Sequence, residues 1–320
     1  MKMKKIVSII MVIAMLVALS ACGSAPAADG TYTVGICQLV QHEALDAATQ
    51  GFKDALIEKL GDKVTFVEHN ASGDAATCVT ICNQLVAENV DLIMGNATPA
   101  LQAAAAATAT IPVIGTSITD YATALEATDW TGKTGTNITG TADLVPLDQQ
   151  AAVVKELFPD AKVVGILYCS AEPNSVYQSN VISEYFIELG YEVKVFTFAD
   201  SNDVANVTAA ACADSDVIYI PTDNTAASCT ETIANVAIPA GTPIVAGEAG
   251  ICGGCGVATL AIEYYDIGYI AGEMAYEILV NGANPGDMEI KYAADAQKLY
   301  NAAICDALGI AIPEGYSPLG

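Results

Sequence analysis

The stretch Lys162-Val-Val-Gly-Ile-Leu-Tyr168 begins the clearer half of a strand pattern that occurs twice in the chain. It is a short apolar run, and three similar runs follow it, each after a gap that can hold one helix. Strands that alternate with helices at this spacing are typical of a parallel sheet built from right-handed crossovers. The strands predicted in this half cover residues 162–168, 192–198, 217–220 and 243–246.

The same order of elements occurs earlier in the chain, without residue-level repetition. Strands are predicted there at residues 32–37, 64–69, 92–95 and 112–115. Apolar periodicity, capping residues and glycine stops predict the helices. They cover residues 44–60, 74–88, 100–110, 175–189 (with Ser175 as the cap), 203–213 and 265–281. The predicted fold class is α/β, with two doubly wound parallel-sheet lobes joined by a hinge.

The boundary between the lobes is expected near residues 141–148, because a Gly- and Thr-rich segment ends there and Pro146 follows. The late helix is assigned to the first lobe. The first lobe then comprises residues 31–142 plus 264–285, and the second comprises residues 143–263 plus 286–320.

The amino terminus predicts export. Three lysines precede an apolar run at residues 6–19, which is shorter than the ~20 residues of a membrane span. The small residues before Cys22 resemble a bacterial lipobox, which implies a signal peptide at 1–21, a lipidated Cys22 and a tether at 22–30. An ordinary signal peptide with an incidental cysteine is the alternative.

The charge balance excludes several classes of partner. The chain has 12 lysines, no arginine and 37 acidic residues, for a net charge of −25. Removing residues 1–21 takes away three lysines, so 9 − 37 leaves −28. Such a polyanion has no basic patch for nucleic acid or anionic lipid. Without a guanidinium group, an anionic ligand must be held by helix N-termini, hydroxyls or lysine.

Ten cysteines give one suggestive pair, Cys252-Gly-Gly-Cys255. A disulfide, half of a zinc site, or free thiols in a Gly-rich turn are all compatible with it. No metal or cofactor is expected, because no second such pair exists and His42 and His69 are far from it. Nucleophile, zinc-protease and phosphate-loop motifs are missing, so no enzyme is expected. A carboxylate-pair hydrolase remains an alternative.

Ligands of open α/β sheets bind beyond the carboxyl ends of the strands. Polar residues follow nearly every predicted strand, although loop polarity and helix capping account for part of this clustering. The candidate ligand-binding residues are Gln38, His42, Leu45, Asn96, Thr98, Thr116, Ser117, Ser170, Asn174, Ser175, Thr222, Asp223, Asn224 and Glu248.

Several of these stretches resemble the TrpX-like family of ABC-transporter substrate-binding proteins. The resemblance lies in Val34-Gly-Ile-Cys-Gln-Leu-Val-Gln-His-Glu-Ala-Leu-Asp46, Asp91-Leu-Ile-Met-Gly-Asn-Ala-Thr-Pro99, Gly135-Thr-Asn-Ile-Thr-Gly140, Asn174-Ser175 and Ile220-Pro-Thr-Asp-Asn224. It implies a type I periplasmic-binding fold, an ABC permease as partner and an aromatic amino acid, tryptophan or tyrosine, as ligand. The chain departs from the family at Ile118-Thr-Asp-Tyr121, where Asp-Pro is expected.

The resemblance suggests roles for the candidates. The helix beginning at Ser175, with Thr98 and Ser117, is expected to hold the ligand carboxylate. Asp223 is the first candidate for the ammonium group and Glu248 the second, and a helix cap is the alternative role of Asp223. The ligand side chain is expected to contact Gln38, His42 and Leu45. Trp130 is a candidate either for stacking on the ligand or for packing on the surface as a loop residue.

The implied protein is an extracytoplasmic monomer anchored through Cys22. A receptor for a sugar, nucleoside or branched-chain amino acid, and a sensory ectodomain, are alternatives.

Overall fold

A computed structural model describes residues 30–293 and 295–319 of the 320-residue chain. The predicted signal peptide, Cys22 and all of the tether except Gly30 lie outside the described residues. Within the described part, no helix combines the length and the apolar character that a membrane span requires.

The described residues form two sheets, each built from one half of the repeated pattern. The first sheet has six strands in the order β11-β5-β4-β3-β1-β2, and every pairing in it is parallel. Its strands are β1 (Tyr32–Gln38), β2 (Val64–Asn70), β3 (Leu92–Asn96), β4 (Val113–Ile118), β5 (Ile138–Ala142) and β11 (Lys291–Tyr292).

The second sheet has seven strands within the described residues, in the order β13-β12-β10-β9-β8-β6-β7. It is parallel except for the antiparallel pair β10–β12. Its strands are β6 (Val163–Cys169), β7 (Glu192–Phe198), β8 (Val217–Ile220), β9 (Ile244–Ala246), β10 (Ala258–Ala261), β12 (Gln297–Tyr300) and β13 (Ser317–Pro318).

Helices cover both faces of each sheet, as parallel sheets require, because their strands bury apolar side chains on either side. The α-helices are α1 (Glu43–Leu60), α2 (Ala75–Ala87), α3 (Thr98–Ala107), α4 (Tyr121–Ala124), α5 (Leu147–Leu157), α6 (Pro173–Glu188), α7 (Val204–Asp214), α8 (Asn224–Ser228), α9 (Thr230–Ala240), α10 (Ala249–Cys255), α11 (Tyr264–Leu279) and α12 (Ala302–Leu308). Short 3-10 helices occupy Gly61–Lys63 and Pro285–Asp287.

The eight strands predicted from sequence are all present, and β7 and β8 have the predicted ends. The predicted fold class, two doubly wound parallel-sheet lobes, is confirmed. Two expected helix starts are wrong by two residues. Helix α3 begins at Thr98 and not at residue 100, and α6 begins at Pro173 with Glu172 as the N-cap residue, so Ser175 lies inside its first turn.

The chain passes between the lobes three times: after β5, between β10 and α11, and between β11 and β12. Helix α11 packs against α1 of the first lobe. The helices approach so closely that a Cβ atom on Gly268 would lie 2.0 Å from the carbonyl oxygen of Ala48. The sequence-based assignment of 286–320 to the second lobe differs at β11, because Lys291–Tyr292 pairs with β5 of the first sheet.

The nine cysteines in the described residues are free thiols, and only Cys212 and Cys229 are partly exposed. Cys252 and Cys255 lie on α10 and not in the Gly-rich turn envisaged from sequence. The Cys255 thiol donates to the carbonyl of Ile251 at 3.3 Å.

We therefore expect that, of the described cysteines, only Cys212 and Cys229 react within minutes with a thiol reagent on the native protein. Burial raises the pKa of the Cys252 and Cys255 thiols and keeps them protonated, and the thiolate is the reactive species. Peptide mass spectrometry after brief alkylation measures this, with urea-unfolded protein as the control. Rapid labelling of Cys252 or Cys255, or a disulfide between them, would contradict the structure.

Candidate functional site

A small cavity lies where the carboxyl ends of the two sheets face each other. Its volume is about 10 Å³, room for one water molecule. Its lining residues are His42, Ser117, Thr119, Asp143 and Tyr264 from the first lobe and the segments joined to it, and Asn174, Thr222, Asp223, Asn224, Ala227 and Glu248 from the second.

The two lobes touch directly at this cavity. His42, at the start of α1, lies with its Nε2 atom 3.2 Å from Oδ1 of Asn224, at the start of α8. Gln178 of α6 makes a longer contact of 3.5 Å from Nε2 to the hydroxyl of Thr119. The cavity is therefore formed only when the lobes are closed against each other.

Ser117 owes its position to an irregularity in β4. Its backbone φ is 57°, in the left-handed region that residues other than glycine rarely adopt. The pairing of β4 with β5 shifts register between Gly115 and Ile118. Bulges of this kind redirect a side chain, and here the hydroxyl of Ser117 faces the cavity.

Asp223 was expected to accept the ligand ammonium group, but its carboxylate is already occupied. Oδ1 accepts the backbone N–H of Ala226 at 2.7 Å and caps α8. Oδ2 accepts the backbone N–H of Cys169 and the hydroxyl of Ser175, both at 2.7 Å. Asp223 thus ties β6, α6 and α8 together and caps α8, which is the alternative role that the sequence left open for it.

Glu172, which the sequence analysis did not single out, is the centre of this network. Its Oε2 accepts from the side chain of Asn174 and from both the backbone and the side chain of Asn224. Its Oε1 accepts from the backbone N–H and the hydroxyl of Thr225. One buried carboxylate thereby fixes the orientation of two amides next to the cavity. Its position at a helix N-cap was the only signal in the sequence.

Glu248, the second candidate for the ammonium group, is also a cap. It accepts the backbone N–H groups of Gly250 and Ile251 at the start of α10. Burial, and to a lesser extent Glu43 and Asp143, raise its pKa to about 7. Its carboxylate lines the cavity, but its two oxygen atoms are already bonded to the helix.

Asp143 has the free acceptor that Asp223 and Glu248 lack. It follows β5 and is held there by its backbone N–H, which donates to the carbonyl of Ile118 at 3.2 Å. Oδ2 accepts the hydroxyl of Tyr264 at 2.8 Å, whereas the buried Oδ1 has no hydrogen-bond partner within the described part of the chain. Burial raises its pKa to about 6, so it is ionised at neutral pH.

Four buried polar atoms without hydrogen-bond partners among the described residues belong to side chains that line this cavity. Buried polar groups are nearly always paired, so such a cluster indicates a place for a polar ligand. The four atoms are His42 Nδ1, Ser117 Oγ, Asp143 Oδ1 and Asn174 Oδ1.

Half of the fourteen candidates from sequence line the cavity: His42, Ser117, Asn174, Thr222, Asp223, Asn224 and Glu248. The other seven do not. Gln38 bonds to Asp46 and Thr49, Asn96 bonds to the carbonyl of Leu45, Thr116 accepts from Thr141, and Ser170 is exposed and bonds to the carbonyl of Phe198. Leu45 and Thr98 are buried away from the cavity, and Ser175 bonds to Asp223.

Two further expectations about ligand contacts are corrected. Ser175 cannot offer its helix start to a carboxylate, because its N–H bonds to the carbonyl of Glu172 at 3.1 Å and its hydroxyl to Asp223. Trp130 stacks on Tyr121, with ring centroids 6.4 Å apart, and does not line the cavity. The aromatic ring that does line it is Tyr264, which opens α11.

We expect the protein without ligand to lose thermal stability between pH 6.5 and pH 8.5. Burial raises the pKa of Glu248 to about 7, and burial together with Glu172 raises that of Asp223 to about 8. The folded chain therefore binds more protons than the unfolded chain in this range, and stability falls as pH rises. His42, whose pKa burial lowers, opposes this loss near pH 6.5, where the histidine of the unfolded chain is still partly protonated, and adds little above about pH 7.5.

Calorimetric melting at the two pH values measures this loss. Glu248→Gln should reduce the difference in Tm, whereas Asp216→Asn should not, because Asp216 is exposed and backbone N–H donors lower its pKa. A Tm that stays constant or rises from pH 6.5 to pH 8.5 would show that the pKa values of Glu248 and Asp223 are not raised in the folded protein.

The chain matches known proteins over nearly its whole described length. A family model described as ABC transporter substrate binding protein matches residues 33–318. A tyrosine-binding protein of Clostridioides difficile (strain R20291) is 34% identical over 280 residues, 86% of this chain and 80% of that protein.

Two solved structures have the same sequence identity to this chain but differ in how closely their folds match it. A domain from Streptococcus pneumoniae in complex with L-Trp is 34% identical, with a TM-score of 0.85 over 89% of this chain and 96% of that one. A substrate-binding protein with adhesive properties from Clostridium difficile, in its ligand-free, open structure, is also 34% identical. Its TM-score is 0.68 over 90% of this chain and 99% of that one. With two closed lobes and a polar cavity between them, this chain belongs to the substrate-binding proteins of ABC transporters.

Proposed function

We propose that this protein binds an aromatic amino acid, tyrosine or tryptophan, between its lobes and presents it to an ABC permease, and that it catalyses nothing. The observation that carries the proposal is the convergence of four unpartnered polar atoms on the interlobe cavity. The L-Trp bound to the pneumococcal domain and the name of the tyrosine-binding relative support the ligand class.

The unpartnered atoms match an ammonium group. Asp143 Oδ1 is an acceptor with a negative charge. Asn174 Oδ1 is an acceptor, because the amide nitrogen already donates to Glu172 and to the carbonyl of Thr222. Ser117 Oγ can also accept. An ammonium group has three donors, so these three oxygens and the charge of Asp143 suit it well.

The ligand carboxylate must be held without arginine. Two helix starts at the cavity are already occupied, because Glu172 and Asp223 accept N–H groups of α8 and Glu248 accepts those of α10. The Ser117 hydroxyl can accept from the ammonium group and still donate its hydrogen to the carboxylate. Thr119 lies beside it on the cavity wall, where its hydroxyl accepts a long contact from Gln178 and also interacts with Asp143. We assign the carboxylate to this side of the cavity.

Ligand entry requires the lobes to part. A cavity of about 10 Å³ cannot admit an amino acid, and contacts across the lobes close it. At equal identity, the similarity is higher to the L-Trp complex than to the open, ligand-free relative. Hinge opening about the three connecting segments fits both observations. In this scheme the ligand stabilises the closed form because each lobe supplies part of its contacts.

Isothermal calorimetry tests the proposal, with tyrosine, tryptophan and phenylalanine as ligands and leucine, glucose and adenosine as comparisons. We expect one or more aromatic amino acids to bind and to raise the Tm, by about 2.7 kcal/mol of stabilisation at a hundredfold excess over Kd. Binding of glucose or adenosine, and of no aromatic amino acid, would show that the proposed ligand class is wrong. Small-angle scattering should show a smaller radius of gyration with ligand.

We also propose that residues 1–21 are removed and that a lipid on Cys22 holds a monomeric receptor at the outer face of the membrane. The basic start, the short apolar run and the small residues before Cys22 support this. Labelling with a radioactive fatty acid should mark the wild type and not Cys22→Ser. An unlabelled wild type would leave an ordinary signal peptide as the explanation.

A further inference from the structure

His42 carries the one unpartnered nitrogen among the four cavity atoms, and the ammonium and carboxylate assignments leave it unused. Its Nδ1 atom is shielded from solvent and has no hydrogen-bond partner within residues 30–293 and 295–319. A buried nitrogen of this kind costs stability unless a ligand satisfies it.

A chain of hydrogen bonds determines what this nitrogen can do. Asn224 Nδ2 donates to Glu172 Oε2 at 2.7 Å, so the amide must turn its oxygen toward His42. Since that oxygen can only accept, His42 Nε2 carries the proton and donates across the 3.2 Å contact. In the neutral ring the other nitrogen, Nδ1, is then a bare acceptor. Burial lowers the pKa of His42 and favours this neutral form.

The position of His42 indicates which part of the ligand it meets. Asp143 and Tyr264 line the central cavity but not the pocket beside it. His42 and Ala227 line both this cavity and an adjoining open pocket of about 410 Å³. Gly250, Gly253 and Gly254 also line that pocket and leave it wide. With its ammonium group at Asp143, an amino acid would extend its side chain toward His42.

We propose that His42 Nδ1 accepts a hydrogen bond from the side chain of the ligand, so that the protein selects aromatic amino acids with a ring O–H or N–H over phenylalanine. This rests on the proposed function and deepens it. Tyrosine and tryptophan would satisfy the buried nitrogen. Phenylalanine would bury it without a partner and should bind at least tenfold more weakly. Glu172 and Asn224 act as positioning residues for the histidine.

Two arms of calorimetry test this. With wild-type protein, 4-aminophenylalanine should bind like tyrosine, and 4-fluorophenylalanine, which has no donor, should bind like phenylalanine. With His42→Leu, the preference for tyrosine over phenylalanine should fall to about twofold or less. His42→Gln, whose amide oxygen can accept, should recover part of it. His69→Leu, on β2, is the matched control and should keep the wild-type ratio.

The positioning role has its own readout. Asn224→Ala should lower the tyrosine-to-phenylalanine ratio, because the imidazole is then free to place its proton on Nδ1. A purely structural effect would weaken both ligands alike and leave the ratio unchanged.

Equal affinity of the wild type for tyrosine and phenylalanine, or an unchanged ratio in His42→Leu, would overturn the role of His42 while leaving the aromatic-amino-acid receptor intact. If none of the aromatic amino acids binds to the wild type, the proposed function and this inference both fail. The ligand series tests by itself whether a ring donor is required, and where His42→Leu does not fold, His42→Gln and Asn224→Ala assign the preference to the histidine.

Discussion

Replacing Asp143 with asparagine is expected to weaken binding of the aromatic amino acid by roughly 100-fold to 1,000-fold. Removing one member of a buried, hydrogen-bonded charge pair costs about 2–5 kcal/mol. Asp143 is the cavity carboxylate with a buried oxygen free of partners among the described residues, whereas Asp223 and Glu248 cap helices. The ligand ammonium group would therefore lose its only close negative charge that is not already engaged.

Calorimetry on Asp143→Asn measures this loss, and Asp148→Asn is the matched control. Asp148 lies on the exposed face of the first turn of α5, five residues along the chain, and its replacement removes the same charge. The unliganded Asp143→Asn protein should keep its Tm within a few degrees, because the amide can still accept from Tyr264. A Kd within threefold of wild type would show that the ammonium group binds elsewhere.

Replacing Glu172 with alanine is expected to destabilise the second lobe by about 3–5 kcal/mol. Glu172 is buried and accepts five hydrogen bonds, from Asn174, Asn224 and Thr225. Its loss removes the acceptor of the buried Asn174 amide and of the part-buried donors of Asn224 and Thr225. Breaking such a hydrogen-bond network is among the costliest effects of a single substitution.

Thermal and urea unfolding of Glu172→Ala measure this cost. Glu263→Ala is the matched control, because Glu263 also occupies a helix N-cap position but is exposed and makes no side-chain cap bond. The control should change stability by less than about 0.5 kcal/mol. If both variants unfold at the same temperature as the wild type, the network around Glu172 does not stabilise the second lobe. The role of Glu172 in orienting Asn224 then fails as well.

The regular part of the fold could be predicted because it depends on local sequence. Strands β7 and β8 and the helix after β1 carry apolar patterns that identify them without knowledge of their neighbours. Strand β5 was not predicted, since Ile138-Thr-Gly-Thr-Ala142 has little apolar periodicity and a central glycine. It forms because β4 and β11 pair with it on either side. Because β11 pairs with β5, it belongs to the first sheet and not to the second lobe, where the sequence analysis placed it.

The location of the candidate site followed from topology, and half of its residues could therefore be named from sequence. Parallel strands bring their carboxyl ends to one edge, so residues at or just after strand ends, such as His42, Ser117 and Asn224, were found. Gln38 and Asn96 end β1 and β3, but they bond within the first lobe. The rule identifies the edge of the sheet and cannot tell which side chains turn inward.

Two α/β lobes with polar strand ends could be predicted from the amino-acid sequence, because apolar periodicity and strand spacing are local properties. The chemistry of each polar residue depends on contacts between distant segments, which are visible only in the folded protein. Asp223 bonds to Cys169, 54 residues away, and Glu172 bonds to Asn224, 52 residues away, so both carboxylates are occupied. Asp143 is left with a free oxygen because Tyr264, 121 residues away, binds only one of its two. Hydrogen bonds between distant segments are set by how the lobes pack, and that packing is not encoded in any short stretch of the chain.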